Sequence, residues 1–334
     1  MRHLLNFKKA RTIVERFGNT RILVIGDLIM DHFIWGRVKR ISPEAPVPVV
    51  EVTSESLMLG GSANVVNNIH NLGGKCLVTG IIGRDDDGKK LVNTLKEKGI
   101  TTEGIITDHK RPTTIKTRVI AHNQQVVRFD REKKDKIEPE STAKVLNYVK
   151  RALKSADLVI VSDYAKGLIT ETLMEETSDA CGRMDKFLAV DPKVEHFDYY
   201  KGSTIVTPNN LEASLASGVE ISDEASLHRA GEVLFNKLGC EALLITRGEN
   251  GMSLFEPNSE THIPTVAQEV FDVSGAGDTV ISTLGLALAS GASFKEAAVL
   301  ANFAAGVVVG KVGTATLSPA ELLGAVDAGL KKAK

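Results

Sequence analysis

Short, uninterrupted apolar segments recur along this chain and alternate with longer amphipathic stretches, and this alternation constrains the fold more than any other feature. In residues 21–27 (RILVIGD), branched apolar residues continue without a polar interruption up to a glycine. Five more segments repeat the pattern, at residues 76–83, 157–163, 187–192, 203–209 and 241–248. A continuous apolar run indicates a strand covered on both faces, as in a parallel sheet. The sequence therefore predicts a doubly wound α/β fold, a mainly parallel sheet sandwiched by helices, as a single domain over residues 1–334.

Polar residues stand where several of the predicted strands end, namely Asp27, Asp163, Asp191, Asn209 and Arg247. In an open parallel sheet, ligands bind outside the carboxyl ends of the strands. We therefore expect these side chains to surround one cleft, and we expect that cleft to be the active site.

Two segments depart from the alternation and have the pattern of extended chain, at residues 32–53 and 112–131. In the second, Lys116 and Arg118 share one face by the period of two, and a turn near Asn123 would fold the segment into a hairpin. Prolines at positions 43, 46 and 48 confine the first segment to a sheet edge or a polyproline-like path. We expect the two segments to form a small β-sheet lid or a dimer contact.

Charge and composition exclude several classes of protein. Lys plus Arg number 41 against 42 Asp plus Glu, a net charge of −1, so the excess of positive charge typical of a nucleic-acid binder is absent. No apolar run reaches the roughly 18 residues that span a bilayer, so no membrane association is expected. Three isolated cysteines, Cys76, Cys181 and Cys240, predict reduced thiols and a cytoplasmic location.

The strongest local motif is DVSGAGDTV at residues 272–280, followed by a small-residue stretch that predicts a helix. Because Gly275, Ala276 and Gly277 carry little or no side chain, backbone amides can approach a ligand closely, and the start of a helix favours an anion there. Asp278 adds a carboxylate that can take a proton from a hydroxyl attacking a bound phosphoryl group. On these residues alone, the alternative is a plain glycine turn with Asp278 as a helix N-terminal charge.

The motif resembles D-x-x-G-A-G-D, the C-terminal signature of the ribokinase-like (pfkB) carbohydrate kinases. Residues 60–64 (GGSAN) are similar to the N-terminal signature of the same family, and the two occur in the family's order. The resemblance extends from about residue 21 to residue 317. It implies a ribokinase-like fold and a kinase that uses ATP and Mg²⁺, with Asp278 as the catalytic base and residues 275–277 as the anion hole.

The resemblance also implies the nucleotide-binding residues. Asn209 and Glu212 match the family motif N-x-x-E and would organise the water around Mg²⁺ on the ATP phosphates. Taken alone, Asn209 is better explained as a helix cap. Asn302 would lie near the adenine, and a monovalent cation is left open. The end of the predicted strand segment at 241–248 and the residues after it resemble the nucleotide-phosphate loop of these kinases, with Thr246, Arg247, Gly248 and Gly251 as its members. On residue type alone, Arg247 is equally well explained as a surface arginine in a turn.

For the sugar, the resemblance implies that Asp27 accepts hydrogen bonds from adjacent hydroxyls, with Gly60, Gly61 and Asn64 against the ring. A phosphate group on the sugar would need cations. The candidates are two lysines that follow predicted strands, Lys166 and Lys193, and two arginines of the predicted lid, Arg118 and Arg128. We favour the two lysines.

Finer similarities suggest the substrate. Residues 41–49 (ISPEAPVPV), residues 162–167 (SDYAKG) and the spelling of the 272–280 motif resemble the heptose 7-phosphate kinases of lipopolysaccharide-precursor synthesis. This implies phosphorylation of the anomeric hydroxyl of D-glycero-β-D-manno-heptose 7-phosphate to the 1,7-bisphosphate. Because the chain ends at Lys334 without an H-x-G-H motif, we expect no nucleotidyltransferase domain and a separate adenylyltransferase downstream.

Two other functions stay open on the sequence. One is a pfkB kinase for another sugar, sugar phosphate or nucleoside, and the other is a non-catalytic sugar or nucleotide sensor on the same fold. The family further implies a homodimer joined through the lid sheets.

Overall fold

The computed structural model describes residues 3–122, 124–267 and 270–332. Its strands are β1 (Arg21–Gly26), β2 (Leu28–Ile41), β3 (Pro48–Gly61), β4 (Lys75–Gly83), β5 (Thr101–Asp108), β6 (Thr114–Ala121), β7 (Gln124–Arg131), β8 (Leu158–Ser162), β9 (Phe187–Asp191), β10 (Ile205–Val206), β11 (Ala242–Thr246), β12 (Met252–Glu256) and β13 (Ser259–Ile263). Its α-helices are α1 (Phe7–Glu15), α2 (Ser62–Asn71), α3 (Asp86–Glu97), α4 (Pro139–Ala152), α5 (Glu171–Arg183), α6 (Asn210–Ser217), α7 (Glu224–Leu238), α8 (Ala276–Ala289), α9 (Phe294–Val308) and α10 (Pro319–Lys332). Short 3₁₀ turns occupy Phe17–Asn19, Val194–Tyr200 and Gly248–Asn250.

The larger sheet has nine strands in the order β13-β12-β11-β10-β9-β8-β1-β4-β5. The strands from β11 to β5 pair in parallel, and β12 and β13 add an antiparallel edge. Along β1, Ile22 and Val24 belong to one apolar core while Leu23 and Ile25 belong to the other. Both faces of the sheet are therefore covered, as the uninterrupted apolar runs predict.

Helices cover the two faces of this sheet separately. The core that contains Ile22 is completed by α1, α2, α3, α8, α9 and α10, and the core that contains Leu23 by α4, α5, α6 and α7. The predicted sandwich of a mainly parallel sheet between helices is confirmed. Among the described residues, no helix combines the length and the apolar character required to cross a membrane.

The smaller sheet has the order β3-β2-β6-β7 and is formed by the two segments predicted to be extended. β2 pairs antiparallel with β3 and parallel with β6, and β6 pairs antiparallel with β7. The first segment is longer than the expected 32–53, because β2 already begins at Leu28 and β3 continues to Gly61, where the two residues pair. The turn expected near Asn123 lies outside the described residues. We call this four-stranded sheet the lid.

The sheet order brings the predicted strand-end residues to one edge. β9, β8 and β1 are neighbours, so Asp191, Asp163 and Asp27 follow one another along the carboxyl edge. Asn209 lies farther along that edge, where it bridges to Thr246 at the end of β11. α8 packs against β8 and β9. The expectation of a common edge is met for all of these residues.

Candidate active site

Asp278 is buried in the first turn of α8, with 2% of its surface exposed. Its Oδ2 accepts a hydrogen bond from Nδ2 of Asn64 at 2.8 Å, and its Oδ1 accepts one from the hydroxyl of Tyr164 at 2.6 Å. α2 supplies Asn64, and the loop after β8 supplies Tyr164. Three separate elements therefore converge on one carboxylate.

The environment of Asp278 changes its acidity. Burial raises the pKa of this carboxyl from 3.8 to about 6, although the hydrogen bonds from Tyr164 and Asn64 act in the opposite direction. The negative charge of Asp31 also raises it, and the positive charge of Lys116 lowers it. A carboxylate with a pKa near 6 is ionised at neutral pH and is a better proton acceptor than an exposed aspartate.

The backbone before Asp278 has the form that the glycine-rich motif predicts. Gly275 has a φ of 78°, and a Cβ at this position would lie 2.7 Å from Nδ2 of Asn64, so no other residue fits without displacing Asn64. A Cβ on Gly277 would meet no atom within 4 Å. Among the described residues, the amides of Gly277 and Asp278 have no protein acceptor, as is usual for the first turn of a helix. These amides are available to an anion. The amide of Ala276, which was predicted to belong to the anion hole, instead donates to the carbonyl of Val273 at 3.2 Å.

A cavity of about 450 Å³ opens beside this turn. Its lining includes six residues that the sequence assigns to the nucleotide or the anion hole, namely Thr246, Gly248, Gly251, Ala276, Gly277 and Asn302. Much of the remaining wall is apolar and comes from Met252, Val270, Val273, Val280, Ala305 and Val309. An apolar slot that ends at free amides matches the chemistry of a nucleotide, whose base is flat and whose phosphates are anionic.

Asn209 and Glu212 form a reciprocal cap at the start of α6. Oδ1 of Asn209 accepts from the amide of Glu212 at 2.9 Å, and Oε2 of Glu212 accepts from the amide of Asn209 at 3.0 Å. The other carboxylate oxygen, Oε1, pairs with the ammonium group of Lys193. The helix-cap alternative is thus present in the structure, and the association with Mg²⁺ stays a prediction.

Arg247 follows β11 as predicted, but the structure does not bring its charge to the cavity. The guanidinium pairs with Glu224 at the start of α7 and contacts Ser253 and His262. Its side chain is only 10% exposed, so these neighbours hold it in place. The expected contact with phosphate has no support from this arrangement.

Asp27, the expected hydroxyl-binding residue, is occupied by protein donors. Its carboxylate accepts the amides of Tyr164, Lys166 and Leu168 at 2.9, 3.1 and 3.3 Å. Burial and the neighbouring Asp163 raise its pKa to about 6, against the effect of the three amides. The side chain therefore holds a loop and has little hydrogen-bonding capacity left for a sugar.

Another carboxylate, that of Asp31, lies on the lid facing Asp278 and was not predicted from the sequence. Asp31 is 4% exposed, pairs with Arg118 of β6 and acts electrostatically on Asp278. A Cβ on Gly60 would lie 2.2 Å from Oδ2 of Asp31, so the glycine leaves room for this carboxylate. The signal was available in the alternation of β2, where Asp31 interrupts an apolar run with a charge.

All four predicted cations of the sugar site pair with protein carboxylates. Lys166 pairs with Glu132 at 2.8 Å and Lys193 with Glu212. In the lid, Arg118 pairs with Asp31, and Arg128 pairs with Asp130. Lys116 shares a strand face with Arg118 but was not among the predicted phosphate-binding cations. In the described part of the chain, no carboxylate lies within ion-pair distance of its ammonium group. Its ammonium lies 5.1 Å from the centre of the Tyr164 ring.

Solved structures of other proteins share the fold of this chain. The fold is similar to the ribokinase of Arabidopsis thaliana complexed with ribose and ATP, with a TM-score of 0.73 and 18% identity over 92% of this chain and 98% of that one. It is also similar to phosphofructokinase-2 of Escherichia coli in complex with substrates and products, with a TM-score of 0.77 and 18% identity over 92% and 99% of the two chains.

Sequence relatives are closer. The bifunctional protein HldE of Desulfatibacillum aliphaticivorans is 52% identical over 310 residues, which is 92% of this chain and 63% of that protein. The bifunctional protein HldE of Geobacter sulfurreducens is 47% identical over 320 residues, 96% of this chain and 65% of that protein. The chain thus spans just under two thirds of the length of these relatives.

The profile of the pfkB family carbohydrate kinases matches residues 19–321. This range contains both sheets, Asp278 with its two hydrogen-bond donors, and the cavity beside α8. The chain belongs to the pfkB family of carbohydrate kinases.

Proposed function

We propose that this chain is an ATP-dependent sugar kinase that phosphorylates the anomeric hydroxyl of D-glycero-β-D-manno-heptose 7-phosphate and yields the 1,7-bisphosphate. One observation carries the proposal: the buried carboxylate of Asp278 adjoins free helix-terminal amides at the end of a nucleotide-sized cavity. The choice of sugar is supported by residues 41–49 and 162–167 and by the relatives named HldE.

In this mechanism the sugar hydroxyl attacks the γ-phosphorus of ATP. The new oxygen–phosphorus bond forms while the bond to the departing ADP breaks, and the hydroxyl proton passes to the carboxylate of Asp278. The amides of Gly277 and Asp278 stabilise the negative charge on the transferring group. The lid, which carries Asp31 and Lys116, limits the access of water.

On the sugar side, we propose Asp31 as the carboxylate that accepts sugar hydroxyls, because three backbone amides already donate to the buried carboxylate of Asp27. We propose Lys116 as a cation for the substrate phosphate, because its ammonium lacks an ion-pair partner in the described residues. Burial lowers the pKa of Lys116, with Asp31 opposing, so an incoming phosphate would restore the stability of its charged form.

Oxygen donors at the carboxyl edge of the larger sheet fit Mg²⁺, which prefers carboxylates and retains several waters. Glu212 and Asp191 supply such oxygens and interact electrostatically, and Asn209 adjoins them. Mg²⁺ bound with ATP would neutralise phosphate charge there. Burial and the proximity of Asp278 and Glu212 hold the pKa of Asp191 well above its usual range, although the positive charge of Lys193 acts in the opposite direction.

We further propose a homodimer joined through the lids. The face of the lid opposite Asp31 exposes Leu57, Val127 and Phe129 and includes a cavity of about 630 Å³. Light scattering tests this proposal: we expect a dimer for the wild type and a monomer for Phe129→Ser. An adenylyltransferase activity that uses the product, and a cytoplasmic location in keeping with three free cysteines, complete the proposal.

A substrate panel tests the function. The purified chain is incubated with ATP and Mg²⁺ and with heptose 7-phosphate, fructose phosphates, ribose or adenosine, and ADP release is measured. We expect turnover with heptose 7-phosphate and a phosphorus resonance of a second, anomeric phosphate, both reduced at least ~100-fold in Asp278→Asn. Preferred turnover of another sugar would overturn the choice of substrate. Tight ligand binding without ADP release would indicate a sensor and overturn the kinase proposal.

A further inference from the structure

A buried carboxylate that the proposed chemistry does not use accepts hydrogen bonds from the backbone of the loop at residues 163–168. Asp27, at the end of β1, accepts the amides of Tyr164 and Lys166 on Oδ2 and that of Leu168 on Oδ1. These three donors belong to a segment more than 130 positions away in the sequence. Such a cluster of amides on one carboxylate fixes the course of the backbone.

Asp163, the first residue of this loop, also fixes it through hydrogen bonds to its side chain. It is fully buried, and its Oδ1 accepts the amide of Ala165 at 2.7 Å. Its Oδ2 lies 2.6 Å both from the hydroxyl of Tyr200 and from Nδ1 of His196. The side chain therefore ties the loop to the 3₁₀ turn after β9.

The backbone of the loop is also strained. Ala165 has a φ of 53°, in the left-handed region that residues with a side chain rarely adopt. The guanidinium of Arg111 donates to the carbonyl of Lys166 at 2.8 Å and closes the loop on the lid side. Strain of this kind persists only where the surroundings enforce it, and it is commonest at functional sites.

This rigid loop presents one side chain to the proposed base, that of Tyr164. Its hydroxyl donates to Oδ1 of Asp278 at 2.6 Å, while Asn64 donates to Oδ2. The ammonium groups of Lys116 and Lys193 lie 5.1 and 5.6 Å from the centre of its ring. Two functions are thus separable within one residue, the hydroxyl acting on the base and the ring acting on the lysines.

We propose that Tyr164 is a positioning residue, held by Asp27 and Asp163, whose hydroxyl orients the carboxylate of Asp278 and keeps it ionised for proton abstraction. The assignment rests on the proposed role of Asp278 as the base. Asn64 alone would leave the carboxylate free to rotate about its Cβ–Cγ bond. The second donor fixes the plane of the carboxylate and directs a remaining lone pair of each oxygen.

The hydroxyl has a predictable effect on proton affinity. In the part of the chain that the structure describes, the charged groups that act most strongly on Asp278 include Asp31 on β2 and Lys116 on β6, and Asp191 at the end of β9 also interacts with it. None of these changes in Tyr164→Phe, which keeps the ring. Because the hydrogen bond favours the ionised carboxylate, its loss raises the pKa of Asp278 above the present value of about 6.

The test compares Tyr164→Phe, Tyr164→Leu and the control Tyr148→Phe, which removes the hydroxyl of a buried tyrosine on α4. For Tyr164→Phe we expect kcat to fall about 10- to 100-fold, with KM values for ATP and heptose 7-phosphate within about 2-fold of wild type. The acid limb of the kcat–pH profile should move upward by about one pH unit. Tyr164→Leu should in addition raise KM for the sugar phosphate, and Tyr148→Phe should leave kcat and the acid limb unchanged.

A second measurement separates this proposal from the identity of the substrate. In the full chain labelled with ¹³C at aspartate carboxyls, the Asp278 resonance is assigned by its loss in Asp278→Asn and titrated without any sugar. An upward shift of its pKa in Tyr164→Phe supports the assignment even if no sugar of the panel is phosphorylated. An unchanged titration, or an unchanged kcat accompanied only by a lower melting temperature, would show that Tyr164 is merely structural and would overturn the proposal.

Discussion

Replacing Asp278 by asparagine should abolish turnover and stabilise the fold, and the stabilisation should depend on pH. The pKa of the carboxyl is raised from 3.8 to about 6 by burial, so the folded protein holds this proton more tightly than the unfolded chain does. The wild type therefore loses stability as pH rises from about 4 to about 6, and asparagine, which does not titrate, avoids the loss. The two values give a penalty of about 1.5 kcal/mol at pH 5 and about 3 kcal/mol at pH 8.

Asparagine also perturbs the hydrogen bonds from Asn64 and Tyr164, at a cost of about 1 kcal/mol that does not vary with pH. The net stabilisation should then be about 2 kcal/mol at pH 8 and about 0.5 kcal/mol at pH 5. The difference of about 1.5 kcal/mol between the two pH values is independent of the hydrogen-bond cost and is the quantity to measure.

Urea unfolding followed by circular dichroism at pH 5 and pH 8 provides the measurement. Asp272→Asn is a matched control on the same motif. Burial raises the pKa of Asp272, but the amides of Ser274 and Gly313 outweigh this and lower it, so its neutralisation should destabilise the protein similarly at both pH values. If Asp278→Asn changed stability equally at pH 5 and pH 8, or destabilised the protein more at pH 8, the claim of a buried, high-pKa base would be refuted.

The other predictions concern the glycine turn and the cations. Gly275→Ala, which forces a Cβ to within 2.7 Å of Asn64, should lower kcat at least ~10-fold and reduce the melting temperature. Gly277→Ala should leave the melting temperature unchanged but raise KM for ATP, because its Cβ meets only open cavity; an equal loss of stability in both variants would contradict the close contact at residue 275. Lys116→Met should raise KM for heptose 7-phosphate ~10-fold with KM for ATP unchanged, and an unaltered KM would exclude Lys116 from the phosphate site. Arg247→Gln should change KM for ATP by less than ~2-fold, since its charge is paired with Glu224; a ~10-fold rise would restore the phosphate contact that the sequence suggested.

The sequence predicted correctly those features that depend on neighbouring residues in the chain. Uninterrupted apolar runs required strands covered on both faces, and the observed sheet places Ile22 and Leu23 in opposite cores. The small residues before Asp278 required a turn that leads into a helix, and α8 begins at Ala276. Such features follow from side-chain periodicity and backbone freedom, which are local properties.

The use of each charged side chain was decided by contacts between distant segments. Asp27 and Asp31 are four positions apart, yet the first binds the amides of a loop after β8 and the second pairs with Arg118 of the lid. Arg247 follows the expected strand but pairs with Glu224. Spacing along the chain places such residues at the correct edge of the sheet, but it contains no information on which donor or counter-ion packing brings to them.

What the sequence by itself determined is the layered sheet, the edge that carries the site and the turn that carries Asp278, because apolar periodicity and glycine content act over a few residues. What only the tertiary structure decided is which carboxylates accept backbone amides, which charged side chains form ion pairs and how Tyr164 reaches Asp278. The physical reason is that desolvation and hydrogen bonding depend on groups that packing brings within about 3 Å across more than a hundred residues of chain.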